Sequence, residues 1–224
     1  MRQMQDETRE RIKGELPLQV LYVTLGIVLL DQATKLLIKG FTIPWTHYYH
    51  AGMQMGQTIP VIGNFLRLTY VENPGMAFGI DIGGRVFLAL FSLAASVGIF
   101  YYLFKIRREA LSIRLSLALI LGGAVGNLID RIFYGVIFGE GPLFHGKVVD
   151  FIDMDFFKIH FMNFSMDRFA VFNVADSAVT VGIVLMLLFH KQFSELEKNS
   201  EPLPAAEEPP AANSESGETP ASLS

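Results

Sequence analysis

Two aspartates stand in apolar surroundings where a carboxylate is costly and rarely kept without a task. They are Asp150, in Val148-Val149-Asp150-Phe151-Ile152, and Asp176, in Phe172-Asn173-Val174-Ala175-Asp176. Two carboxyl groups sharing an apolar site cannot both ionise cheaply, so one proton is shared and one pKa rises. Such a pair can do acid–base work on water. The ionised member takes a proton from the water, and the protonated member donates to the carbonyl oxygen under attack. That chemistry needs neither a metal nor a nucleophilic side chain. A lone intramembrane Asp more often makes a helix–helix hydrogen bond; two at matched depth favour a function.

Other polar residues follow the same pattern, each near one end of an apolar stretch: Asp31 and Lys35, then Asn127, Asp130 and Arg131, then Asn173. Asp31 and Lys35 are one helical turn apart and can pair, which reads first as a structural ion pair that orients its helix. Asn127 and Arg131 share a face, and Asp130, three residues on, can reach Asn127. Three polar groups at one helix end suggest a positioning network. The glycines before them, Gly122, Gly123 and Gly126, let a neighbouring helix approach closely.

Four apolar blocks must position these residues. The chain has 224 residues, is 51% hydrophobic and has a mean hydropathy of +0.37. Blocks of near 20 residues read as membrane-spanning helices, expected at about 18–38, 86–104, 111–132 and 169–189. This predicts a membrane α-helical fold in one domain over 1–193. Lys and Arg mark the cytoplasmic side. They cluster in the N-terminal segment (Arg2, Arg9, Arg11, Lys13), in the loop after the second span (Lys105, Arg107, Arg108, Arg114) and at Lys191. Both termini are therefore expected in the cytoplasm, with the long loops at about 39–85 and 133–168 outside. Threaded so, all the polar residues above fall on the outer side, with Asp176 about two turns into the fourth span. The first span reads as a retained helix and not a cleaved leader, because Asp31-Gln32-Ala33-Thr34-Lys35 stands where a small-residue cleavage site would be needed.

The outer loops carry their own signals. Phe65 to Val71 alternates as a strand does, and Asn73-Pro74-Gly75 is a turn. Six phenylalanines between 151 and 169 suit a membrane–water interface. The tail over 194–224 is rich in Glu, Pro, Ala and Ser, holds seven of the chain's 22 acidic residues against one lysine, and is expected to be disordered. No basic stripe interleaved with aromatics supports nucleic-acid binding. Cysteine is absent, which excludes disulfides and thiol chemistry. Weaker candidates are His47 and His50, with metal-like spacing but no third ligand, and Ser177 with Lys147 as a Ser–Lys pair, which no nucleophile elbow surrounds. Gly83-Gly84 reads as a turn.

Five blocks in order resemble the lipoprotein signal peptidases, or signal peptidase II, bacterial integral-membrane aspartyl endopeptidases. The blocks are Asp31-Gln32-Ala33-Thr34-Lys35, Glu72-Asn73-Pro74-Gly75-Met76-Ala77-Phe78-Gly79, Gly122 through Arg131, Val148-Val149-Asp150-Phe151 and Phe172-Asn173-Val174-Ala175-Asp176, over roughly 18–190. The resemblance implies four transmembrane helices with a small extracytoplasmic β-sheet cradle, a catalytic dyad at Asp150 and Asp176, and supporting roles for Asp31, Lys35, Asn73, Asn127, Asp130, Arg131 and Asn173. It implies a prolipoprotein substrate whose cysteine bears diacylglycerol, cleavage just before that cysteine, inhibition by globomycin, residence in the bacterial inner membrane as a monomer, and no cofactor. Segments 136–147, 154–168 and 41–60 look longer than the family pattern. A rival class is a small proton-coupled transporter subunit, since intramembrane carboxylates also form proton relays; a relay would spread polar residues across the membrane depth, and here the inner halves are nearly free of them.

Overall fold

The computed structural model describes residues 19–77, 80–81, 84–155, 159–161, 164–166 and 170–189. The N-terminal basic cluster, Phe78 and Gly79, much of the Phe-rich segment, Lys191 and the acidic tail lie outside the described residues.

Helix α1 (Val20–Lys39) is 20 residues long. At 1.5 Å per residue it spans about 30 Å, the thickness of a bilayer's hydrocarbon core. After it come the hairpin strands β1 (Phe41–Ile43) and β2 (Tyr48–His50), then β3 (Thr58–Ile62), β4 (Leu66–Asn73) and the two-residue strands β5 (Met76–Ala77) and β6 (Ile80–Asp81). Helix α2 (Gly84–Lys105) crosses back. Helix α3 (Leu111–Ile129) returns and runs into a π-helical turn, Asp130–Tyr134, and a short helix α4 (Gly135–Ile137). Strand β7 (Val148–Met154) and the hairpin β8 (Ile159–Phe161) and β9 (Phe164–Met166) lead to helix α5 (Val174–Leu188).

Three segments, Val20–Lys39, Gly84–Lys105 and Leu111–Ile137, are long and apolar enough to cross a membrane; Val174–Leu188 is apolar but shorter. Two expectations are corrected here. The third span runs five residues past 132, because the π-turn carries the helix on to Ile137. The fourth helix starts at Val174 and not near 169. Phe172 is held extended by backbone bonds to Phe151 and Ile152, and Asn173 then caps the helix. Asp176 therefore sits in the first helical turn, not two turns in.

Helix α3 is the centre of the bundle. Its small residues let both neighbours come close: a Cβ on Gly123 would stand 2.2 Å from the Ala175 carbonyl oxygen of α5, and one on Gly126 would stand 2.7 Å from the side-chain Oδ2 of Asp31 on α1. In lipid, helices associate through such close packing and not through a hydrophobic force. Val20, Leu103, Ile113, Leu117 and Leu121 form one core at the α1 start, and Ile38, Tyr70, Tyr134, Val149 and Phe151 form a second at its other end. That second core joins the helices to an antiparallel sheet of order β3-β4-β7. Strand β4 starts at Leu66, one residue into the expected strand at 65–71, and continues to Asn73; Gly75, at φ 101, makes the turn beyond it. Register pairs Val71 with Asp150 and Asn73 with Val148. Arg67 and Thr69 on β4 hold Asp153 on β7 across the sheet.

Candidate active site

Asp150 and Asp176 come together through Asn173. A residue just before an apolar helix must satisfy the helix's unpaired N–H groups, and Asn does so well. The Asn173 side chain accepts from the Asp176 N–H (2.9 Å), while the Asp176 carboxylate accepts from the Asn173 N–H (3.2 Å), a reciprocal capping box. The Asn173 Nδ2 is left free to donate to Asp150 Oδ1 (2.7 Å) and to Asn127 Oδ1 (3.0 Å). One residue thus touches both carboxylates, that of Asp150 through its side chain and that of Asp176 through its backbone N–H. Asp150 is buried on β7 and Asp176 is half-buried. Burial, and then repulsion from Asp176, push the Asp150 carboxyl up to about 7, against the pull of Lys35 and hydrogen bonds from Asn173 and Asn73. A carboxyl of that kind can hold a proton near neutrality beside an ionised neighbour.

Behind the two acids lies a fully buried network. Lys35 Nζ meets Asp31 Oδ2 (2.8 Å), Asp130 Oδ2 (2.7 Å) and Asn127 Oδ1 (2.8 Å). An ammonium has three donors, and here each has one acceptor. Because Asn127 Oδ1 faces Lys35 and Asn173, its Nδ2 is turned to Asp176 Oδ1 (2.8 Å). Asp31 Oδ1 accepts from the Ala175 N–H (2.9 Å), tying α1 to the first turn of α5. The Asp31–Lys35 pair is present as expected, and it reaches further than its own helix. Asp130 is not turned to the Asn127 side chain. The π-turn places it between α1 and β7, where it accepts from Gln32 (2.8 Å) and the Val149 N–H (3.3 Å). Arg131 donates to the Asn127 backbone carbonyl (3.2 Å) and stands close enough to both Asp150 and Asp176 to feel their charge.

The Ser–Lys pair is excluded. Ser177 donates to the Asn173 carbonyl, and Lys147 is bound to Glu72. His47 is exposed, and His50 contacts the Leu37 carbonyl oxygen. Among the described residues no cluster of three or more His, Asp or Glu side chains is arranged to hold a metal ion.

Sequence reasoning missed two further pieces. Gln32 Nε2 bridges Asp130, Asp31 and the Gly126 carbonyl, and its Oε1 accepts from Tyr134. Its place inside the Asp31–Lys35 block was the available signal. Glu72 gathers Lys39, Lys147 and Tyr70, and Lys39 also reaches Glu140 (2.5 Å) in the 136–147 segment. Burial raises the Glu72 carboxyl, but the hydrogen bonds from Lys147, Lys39 and Tyr70 outweigh it and hold the group at about 2. No spacing in the sequence announces that cluster, whose members come from three separate segments.

The pattern of the signal peptidase II family matches residues 23–191. The chain belongs to that family. It is 35% identical over 184 residues to the lipoprotein signal peptidase of Desulfitobacterium hafniense, covering 81% of this chain and 99% of the relative. It is 35% identical over 170 residues to that of Chlorobaculum tepidum, covering 76% and 92%. A bacterial membrane enzyme solved at 2.3 Å by the in meso method superposes with a TM-score of 0.58 and 28% identity, over 82% of this chain and 94% of the other. A second such enzyme, at 1.9 Å, gives 0.55 and 29%, over 75% and 90%. As a signal peptidase II, the chain is a multi-pass membrane protease with a membrane α-helical fold; the transporter reading has no support. The buried polar network lies at one end of the bundle, where a path across the bilayer has no use for it.

Proposed function

We propose that Asp150 and Asp176 are the catalytic pair with which this peptidase removes signal peptides from prolipoproteins, cutting just before a cysteine that bears diacylglycerol. The observation that carries the reading is the shared Asn173, which holds both carboxyl groups at one point, one of them with a proton affinity near neutrality. Asp150 is assigned as the acid and Asp176 as the base. Asp176 takes a proton from water as the water oxygen bonds to the scissile carbonyl carbon. Protonated Asp150 donates to the carbonyl oxygen, which gives a neutral gem-diol. The C–N bond then breaks as the nitrogen takes the proton from Asp176. A gem-diol hydroxyl returns its proton to Asp150 as the new carboxyl forms, and both acids end as they began. Arg131 stands beside the pair, suited to the passing charge.

The Lys/Arg bias supports both termini in the cytoplasm of a bacterial inner-membrane protein, which puts the pair at the extracytoplasmic face. A signal peptide is an apolar helix, and a diacylglyceryl cysteine keeps its chains in the outer leaflet, so the scissile bond would lie at that depth. Globomycin is expected to compete there. The protein is proposed to act as a monomer. The decisive experiment incubates detergent-purified protein with a lipidated prolipoprotein, with and without globomycin. Asp150→Asn and Asp176→Asn should each lose about 10²–10⁴-fold in turnover, the usual worth of general acid–base catalysis, while inserting and purifying normally. Full turnover by either variant refutes its role.

A further inference from the structure

From Gly40 to Leu66 the chain has no Lys, Arg, Asp or Glu. Loops that lie in water seldom go so long without charge, and this one also presents large apolar side chains. Trp45 is 92% exposed and Tyr49 68%, and Ile43 and Tyr48 are exposed beside them. All four belong to the β1–β2 hairpin, which is pinned to the end of α1. Its first strand follows one residue after Lys39, the last residue of a helix just long enough to cross the hydrocarbon core. His50 contacts the Leu37 carbonyl oxygen (3.0 Å), and Met53 donates to the Ile38 carbonyl (2.7 Å), so the hairpin base stays level with the last turn of α1. The lipid-facing surface of α1, which includes exposed Leu37, continues into the hairpin. A cleft of about 720 Å³ is lined by Phe41 and Tyr49 of the hairpin together with Leu36, Ile137 and Phe138.

The tip is built to leave water. The Thr46 N–H and hydroxyl both point to the Ile43 carbonyl, and the Tyr48 N–H donates to Thr46 Oγ1, so several of its backbone groups are satisfied within the turn. It holds Trp45 and His47 at φ 64 and 55, a left-handed conformation that bulky residues adopt only at a cost.

We propose that the β1–β2 hairpin is a membrane anchor that lays Trp45, Ile43, Tyr48 and Tyr49 into the headgroup–acyl boundary of the leaflet on the side of the two acids. Trp and Tyr suit that boundary because an apolar ring carries a polar edge. The anchor does not depend on which residues perform the cleavage. It would hold the cradle against the membrane surface.

Trp45 is the chain's single tryptophan, so its fluorescence in phosphatidylcholine–phosphatidylglycerol vesicles reports this site alone. The expected result is blue-shifted emission, weak quenching by aqueous iodide, and loss of more than half the signal to lipids brominated near the carbonyls, with less quenching by lipids brominated deep in the chains. Trp45→Phe with Leu90→Trp, a lipid-facing position on α2, gives the deep-quenching control. Full iodide quenching with no effect of either brominated lipid overturns the anchor. So does shielding that arises only when a lipidated substrate is added, since the surface would then belong to the substrate.

Discussion

Asp150 carries the clearest pH consequence. Its carboxyl lies at about 7 against an ordinary 3.8, raised by burial and then by Asp176. As the proposed acid it must be protonated, so kcat/KM should fall as pH rises through about 7, and a pH–rate profile with a lipidated substrate checks this. The stability effect has the same sign. Between about 4 and 7 the folded chain keeps a proton that the unfolded chain releases, so raising the pH lowers stability, with the full penalty above 7. Asp150→Asn removes the ionisable group. Its melting temperature should exceed the wild type's increasingly as pH rises over that window, and the two should converge near pH 4. Ser177 offers the opposite test. Its hydroxyl only closes a helix-turn bond to Asn173, so Ser177→Ala should keep wild-type turnover in the same assay. Which polar residues would come together was largely legible at this scale, because an Asp, Asn or Lys in an apolar block is conspicuous. Glu72 and Gln32 were not, because one lies in a strand and the other in a mixed block.

Helix α3 explains why the small residues cluster where they do. Gly123 faces a backbone carbonyl of α5, and Gly126 faces the Asp31 carboxylate. A methyl group on Gly123 must push α5 away, and with it Asn173 and Asp176. Gly123→Ala is expected to lower stability by about 1–3 kcal/mol, the usual cost of overpacking, and to reduce turnover. A methyl group on Gly26 would meet nothing within 4 Å, so Gly26→Ala should change neither by much; thermal unfolding of both variants in detergent makes the comparison. The spans at 18–38 and 86–104 were readable to within two residues of α1 and α2. The end of the third and the start of the fourth were not. Hydropathy continues smoothly through Ile132 and through Phe169 to Phe172, whereas the π-turn at Asp130–Tyr134 and the extended backbone at Phe172 are set by partners on β7 and α1.

For the molecule as a whole, the polar network at one end and the apolar packing at the other suit a protease working at one membrane surface. The family match ends at residue 191, before the acidic segment begins. Truncation after residue 193 should leave cleavage of a lipidated prolipoprotein unchanged; a loss of turnover on truncation would assign the tail a role. The sequence by itself determined the membrane class, the set of polar residues and the end of the bundle at which they gather. It could do so because hydropathy blocks and charge bias act locally, residue by residue, against a solvent of known thickness. Only the tertiary structure decided how those residues connect. Asn173 joins Asp150 to Asp176, Lys35 bridges Asp31, Asp130 and Asn127, and Asp130 turns to Gln32 and not to Asn127. Such contacts depend on helix rotation, cap geometry and strand register, which are settled by partners distant in the chain and leave no spacing to read.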